Sequence, residues 1–197
     1  NLKEINSLKG KPDYKKLFTL CSDLMINIIN NNKPVIAKVD GYAIGGGNHL
    51  AYFCDLTIAS ENSIFGQNGP RVGSPAGGAI VAHSANILGH KRAREMWMTC
   101  KRYSAKEMLD WGLINSVVKR EKLDDEVKKY GDEILKAAPT CLKILKASFR
   151  KQFDEILKIT QKSMIDEVSP DYFKTGEQAE GAKAFLEKRK PNFKKFR

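Results

Sequence analysis

Apolar residues between Asp13 and Asn31 recur at Leu17, Leu20, Cys21, Leu24, Ile28 and Ile29, the spacing of one face of a helix that an Asn run closes. Pro34 then opens an apolar strand, Val35-Ile36-Ala37-Lys38-Val39. The run Gly41-Tyr42-Ala43-Ile44-Gly45-Gly46-Gly47 reads as a strand-to-helix turn, and a mostly apolar helix continues from His49 to Cys54. Asp55-Leu56-Thr57-Ile58-Ala59 reads as a second buried strand, so strand, helix and strand imply a right-handed crossover. Ser63-Ile64-Phe65-Gly66 predicts a third short strand, and Gln67 to Gly78 is a Gly/Pro-rich loop.

Two short helices, Ala79 to Leu88 and Lys91 to Thr99, are expected on either side of Gly89. Ser104-Ala105-Lys106-Glu107 is a capping box whose helix ends before Gly112, which leaves Leu113 to Val118 as a further strand. Beyond it the pattern changes. Leu123 to Ala138, Thr140 to Glu167 and Thr175 to Arg189 are helical stretches joined at Pro139 and Pro170, with no strand signal between them. The chain is therefore expected to be α/β over residues 1–120 and helical over 121–197, the second part covering the first or packing on another subunit.

Composition narrows the function classes. The chain has 197 residues, of which 42% are apolar, enough for one packed domain. No apolar run approaches the roughly 20 residues of a membrane-spanning helix. Cys21, Cys54, Cys100 and Cys141 are scattered inside apolar segments without C-x-x-C spacing, and are expected to be reduced core thiols. Of the three histidines, His49, His83 and His90, none sits in an H-x-x-x-H pair, so no metal is expected. The formal net charge of +11 comes mostly from Lys and Arg interleaved with Asp and Glu, the pattern of a solvated face, and nucleic acid is not expected as a partner. The exception is the tail from Lys183 to Arg197, where basic residues alternate with Phe185, Phe193 and Phe196. Solubility, a phosphate-rich cofactor and an RNA backbone all account for it.

Two segments carry candidate chemistry. The glycines at 45–47 remove the Cβ atoms that would block a ligand, and the peptide N–H groups at the start of the next helix favour developing negative charge. A tight connection without a ligand is the other reading. The loop Phe65 to Gly78 places turn residues around Ser74 and Arg71. Ser74 either donates to a substrate carbonyl or caps the next helix, and Arg71 either meets a substrate carboxylate or lies on the surface. His49 lies one helical turn after Gly46; it is either a proton-transfer group or a structural histidine. Asp55 is expected to fix a local turn, and Trp97 and Trp111 to pack.

From Lys33 onward the phrases KPVIAKVDGYAIGGGNHL, CDLTIAS, FGQNGPRVGS, GHKRAREMW and EGAKAFLEKRKPNF resemble the crotonase (enoyl-CoA hydratase/isomerase) superfamily. Within it the first four look most like the branch of 1,4-dihydroxy-2-naphthoyl-CoA synthases and alicyclic ring-opening hydrolases, and the last is similar to the superfamily's usual C-terminal phrase. The resemblance implies a ββα spiral core, incomplete at the N-terminus, with a C-terminal helical region. It also implies a homotrimer or dimer of trimers, with a cytoplasmic location. The implied activity is that of a lyase or hydratase that holds a CoA thioester oxygen on backbone N–H groups and stabilises an enolate. Gly46 matches one such donor, and the second is expected upstream of the sequence given.

Other positions follow from the same likeness. Catalytic roles are implied at Gly46, His49, Gly69 and Ser74, with a bicarbonate base beside Gly69. Substrate contacts are implied at Tyr42, Ile44, Gly45, Gln67, Arg71, Val72, Tyr172 and Phe173, and CoA phosphate contacts at Lys190 and Phe193. Where two-glutamate hydratases carry their acids, this chain has His49 and Gly69, which disfavours ordinary hydration. Where the naphthoate synthase branch carries an aspartate and a tyrosine, it has Ala76 and Phe173, with Tyr172 adjacent. Either the reaction differs or the register shifts by one at Tyr172. Ring opening of an oxocyclohexane-carboxyl-CoA and enoyl-CoA hydration are the alternative activities. A non-catalytic acyl-CoA or RNA-binding member of the same fold is the alternative of another class.

Overall fold

The computed structural model describes residues 12–160 and 164–196. Helix α1 (Pro12–Asn30) leads to strands β1 (Ile36–Val39) and β2 (Tyr42–Ile44), helix α2 (Gly46–Phe53), and strands β3 (Leu56–Ser60) and β4 (Ile64–Gly66). A 3-10 turn (Pro70–Val72), α3 (Ala79–Leu88) and α4 (His90–Thr99) precede β5 (Tyr103–Ser104), α5 (Ala105–Asp110) and β6 (Ser116–Val118). The rest is helical: α6 (Leu123–Leu135), α7 (Pro139–Ile159), α8 (Met164–Val168), α9 (Tyr172–Thr175) and α10 (Glu177–Leu186).

The strands come in successive pairs that divide between two sheets. β1, β3 and β6 form one sheet, in the order β1-β3-β6, with both pairings parallel. β2, β4 and β5 form the other, β2-β4-β5, parallel at the first pairing and antiparallel at the second. Between β1 and β2 the chain passes from one sheet to the other through Asp40 and Gly41. A polar corner fixes that passage: Ser63 Oγ donates to the Val39 carbonyl at 3.0 Å, and Ser60 Oγ donates to Asp40 Oδ1 at 3.0 Å. Arg120 closes it from outside, 2.8 Å from Asp40 Oδ2.

The core lies between the sheets and the helices packed on them. Phe65, Ile58, Met96 and Met108 are fully enclosed there, and each such side chain contributes about 1.5–3 kcal/mol by leaving water. Phe53 and Phe153 meet edge to face at 5.6 Å, which docks α7 on α2. Lys146 of α7 is nearly buried and lies 2.8 Å from the Asp55 carboxylate, while its Nζ also donates to the Ile28 carbonyl at 3.3 Å. Asp55 in turn accepts from Val35 N–H at 2.7 Å, so it ties three elements together rather than a local turn.

The Ser104 capping box is present in full. Ser104 Oγ accepts from Glu107 N–H at 3.2 Å, and the Glu107 carboxylate accepts from Ser104 N–H at 2.8 Å. Trp97 is buried with its indole N–H on Ser84 Oγ, and Trp111 stacks beside Tyr103 at 4.7 Å, so both pack.

Several expectations are corrected. The segment Gly41 to Gly47 is not one turn, because Tyr42–Ile44 pairs with β4 and only Gly45 separates strand from helix. The helix expected over Thr140 to Glu167 stops at Ile159, and residues 161–163 of that stretch lie outside the described residues. The helix expected to reach Arg189 ends at Leu186, and the strand expected from Leu113 begins at Ser116. On α1 the core-facing residue is Met25, with Ile29 packed behind it, while Leu20, Cys21 and Leu24 face outward; the Leu17 side chain lies outside the described residues. Cys100 is a buried free thiol, Cys54 is half-buried, and Cys21 and Cys141 are exposed rather than in the core.

Candidate active site

Helix α2 starts abruptly after β2, and Gly45 makes this possible. Its φ of 57° and ψ of −116° place it where side-chain-bearing residues are strained, and it caps the helix with no side chain. Gly45 N–H donates to the Gly66 carbonyl at 2.9 Å, stitching the helix start to the end of β4. The Gly45 carbonyl accepts from His49 N–H at 2.9 Å, closing the first turn. Gly46 and Gly47 are exposed, and among the described residues no group accepts from Gly46 N–H. A free peptide donor at the positive end of a helix is what an oxyanion requires.

His49 follows on the same helix, where side chains lean back toward the N-terminus. Its Nε2 lies 3.1 Å from Gln67 Oε1, and its ring is flanked by Trp97 at 5.5 Å and Tyr52 at 5.7 Å. Burial drives the imidazole pKa down to about 4, opposed only in part by the Gln67 hydrogen bond. The ring is therefore neutral at neutral pH, and its ordinary value of about 6.5 does not apply. Gln67 is fully buried and its Nε2 has no partner among the described residues; Asn48 Oδ1, beside His49, is likewise unpartnered.

On the opposite side of the Gln67 backbone, Arg102 donates to the Gln67 carbonyl at 3.1 Å and to Asn68 Oδ1 at 3.1 Å. Gly69 opens the 3-10 turn and accepts from Ser74 N–H at 2.8 Å. A Cβ at Gly69 would stand 2.6 Å from the Ser74 carbonyl oxygen, so this loop geometry excludes a side chain. Ser74 does not cap the following helix, whose N-cap is Gly78.

The remaining sequence candidates are spread more widely. Tyr42 is largely exposed on β2, while Ile44 is half-buried. Arg71 is exposed and donates to the Thr99 carbonyl at 3.1 Å; Val72 is buried beneath α10. Tyr172 donates to the Gly73 carbonyl at 2.7 Å, and the half-exposed Phe173 contacts its ring at 5.5 Å. Tyr172 and Phe173 are thus joined to the loop that carries Gly69 and Ser74.

Lys190 and Phe193 line a cleft of about 820 Å³ between the 3-10 turn, the end of α4 and the C-terminal tail. Its walls also include Met98, Arg102, Phe185 and Lys188, and among the described residues no carboxylate side chain lines it. Arg189 pairs with Glu180 at 2.7 Å, and Asn192 N–H bonds the same carboxylate at 2.7 Å, folding the tail back onto α10. Those two contacts hold the Glu180 carboxyl down at about 2. Cys100 and Lys188, the non-glycine residues with left-handed backbone among those described, both line this cleft. Lys188 belongs to the basic tail whose phosphate-binding reading the sequence already offered; Met98 and Arg102 were missed, because nothing local marks the loop at Thr99–Arg102. Arg197 of the tail lies outside the described residues.

The family model for enoyl-CoA hydratase/isomerase matches residues 2–196, and the chain belongs to that family. Solved structures agree with the architecture. A human enoyl coenzyme A hydratase domain-containing protein 3 is 31% identical, with a TM-score of 0.70, over 98% of this chain and 75% of its own. An enoyl-CoA hydratase from Mycobacterium avium subsp. paratuberculosis is 30% identical, with a TM-score of 0.78, over 91% and 72%. A methylmalonyl-CoA decarboxylase in complex with 2-nitronate-propionyl-CoA is 26% identical, with a TM-score of 0.74, over 88% and 67%. The fold is the crotonase α/β fold with a C-terminal helical region, as expected from the sequence.

Proposed function

We propose that this chain is an acyl-CoA thioester enzyme that holds the thioester oxygen on Gly46 N–H while electrons shift onto it, stabilising an enolate. The exposed Gly46 donor at the start of α2, which has no acceptor among the described residues, carries this reading. As the Cα–H bond breaks, its electron pair moves into the new C=C bond, and the carbonyl pair moves to the oxygen beside Gly46. His49, neutral and one helical turn further along α2, is the proton-accepting or relaying group. Two-carboxylate water activation has no support here, since position 49 is a neutral imidazole and Gly69 has no room for a side chain. The reaction is therefore assigned to making or breaking a carbon–carbon bond, in the manner of the naphthoate synthase branch. Opening of a cyclic oxoacyl-CoA is the second reading, favoured by Ala76 and Phe173 standing where that branch has Asp and Tyr.

The cleft at Lys188, Lys190 and Phe193 is assigned to the CoA phosphates, supported by its cations and by a lining that holds no carboxylate side chain among the described residues. Exposed apolar residues on α7 and α10, such as Phe149 and Phe185, support assembly as a trimer or pair of trimers.

The test is exchange of the α-hydrogens of butyryl-CoA in D2O, together with turnover of o-succinylbenzoyl-CoA, a cyclic oxoacyl-CoA and crotonyl-CoA. Exchange is expected, with turnover of one of the first two. Acyl-CoA binding without exchange or turnover would leave a non-catalytic binder, and a rate that depends on added bicarbonate would reassign the base.

A further inference from the structure

The neighbourhood of His49 contains a second buried polar side chain whose hydrogen-bonding capacity is only partly met. Gln67 is fully enclosed, yet among the described residues only its carboxamide oxygen has a side-chain partner, His49 Nε2 at 3.1 Å, and its Nε2 has none. Leaving an amide N–H₂ unpaired in the interior is costly, so the side chain is not held there by satisfying its own hydrogen bonds. Its backbone is fixed from the other side, where Arg102 donates to the Gln67 carbonyl and to Asn68 Oδ1. The strand end just before it is stitched to α2 by the bond from Gly45 N–H to the Gly66 carbonyl. Gln67 is thus delivered to His49 by two main-chain anchors, one of them beside Gly46.

Resting on the enolate reading above, we propose that Gln67 is a positioning residue for His49. Its carboxamide oxygen takes the Nε2 hydrogen, which fixes the tautomer whose Nδ1 carries a bare lone pair. The position one turn into α2 then offers an acceptor and proton relay to complement the Gly46 donor, not a second donor. The amide orientation and the tautomer are coupled. Turning the Gln67 carboxamide over would set an N–H against Nε2, move the ring hydrogen to Nδ1 and leave the carboxamide oxygen unpartnered instead.

The groups around the ring do not favour charging it. Tyr52 and Trp97 flank it, and burial raises the Tyr52 phenol and lowers His83, the ring next beyond Tyr52. Among the charges on the packed elements, Lys38 of β1 pairs with Asp124, Glu95 of α4 pairs with Lys101, and Arg102 donates to main-chain and amide oxygens, while His90, Lys91, Arg92 and Arg94 of α4 are exposed. Tyr42 of β2 is exposed, and Asp23 of α1 lies on its outward side.

The experiment combines ¹⁵N-histidine NMR of the whole chain with the pH profile of butyryl-CoA α-hydrogen exchange. At neutral pH the His49 hydrogen is expected on Nε2; finding it on Nδ1 overturns the proposal without any variant. Gln67→Glu keeps the shape and replaces the amide with a carboxylate, which favours imidazolium. The His49 pKa is then expected to rise by at least about one unit, with the acid limb of exchange rising by the same amount. A limb that stays in place while the His49 pKa moves removes the ring from the reaction. If the wild-type protein exchanges nothing, the enolate reading fails, and the tautomer alone decides the role of Gln67.

Discussion

Gly181 of α10 lies so close to Val72 of the 3-10 turn that a Cβ at 181 would clash with the Val72 carbonyl group and stand 2.6 Å from Gly73 N. That contact docks the C-terminal helix on the loop carrying Gly69 and Ser74. Gly181→Ala is expected to destabilise the protein by about 1–3 kcal/mol, the usual cost of overpacking. The substitution should also expose the cleft residues, and denaturant melts with proteolysis of the tail read both effects. An unchanged midpoint with an intact tail would show that α10 does not depend on this approach.

Gly46 allows the donor to be removed without disturbing the fold. It is the first helical residue of α2, a position that accepts proline, and a Cβ there meets nothing within 4 Å. Gly46→Pro deletes the N–H and is expected to lower the rate of α-hydrogen exchange by about 10²–10³-fold. Gly46→Ala keeps the N–H and is expected to retain most of it. Equal loss in both variants would implicate sterics instead of the hydrogen bond.

The Lys146–Asp55 pair should matter more than any surface ion pair. Lys146 is 7% exposed and bonds Asp55 at 2.8 Å as well as the Ile28 carbonyl at the end of α1. Lys146→Met is expected to cost about 2–4 kcal/mol, at or below the range for a broken buried pair because Asp55 keeps some solvent. A double-mutant cycle with Asp55→Asn checks this, since additive losses would mean the two side chains do not interact.

Acid should weaken the fold through His49. Its folded pKa of about 4 lies below the unfolded value of about 6.5, so the unfolded chain binds the proton first. Stability present above pH 6.5 is expected to fall as pH drops toward 4, by about 3 kcal/mol from this residue alone. His49→Gln should flatten that part of the stability curve measured by urea titration. His83, also lowered by burial, acts in the same direction and remains in the variant as an internal comparison.

Much of the fold was legible because its signals are local. The Ser104-to-Glu107 box, the helices flanking Gly89 and the β1–α2–β3 unit follow from caps, glycines and apolar period, and each is present. The division of strands between two sheets was not, since β2 differs from a turn only by pairing with a distant segment. The outward Leu20 and Leu24 show the limit of periodicity: it finds an apolar face without saying what that face meets. At the site, Gly46 and His49 were visible as a spacing. The Gln67 contact that sets the state of His49 arises from tertiary approach, and so does the burial that keeps the ring neutral.

The sharing of strands between two sheets also sets when the site can exist. Tyr42 pairs with Ile64, Ile64 with Ser104, and Ile58 with Ser116. A nascent chain that has released only its glycine segment from the ribosome has no partner for β2, and the helix start at Gly46 has nothing to anchor it. Such long-range closures form slowly. Chains halted before Gly66 should therefore emerge as protease-sensitive intermediates in which the helix start at Gly46 is not yet ordered.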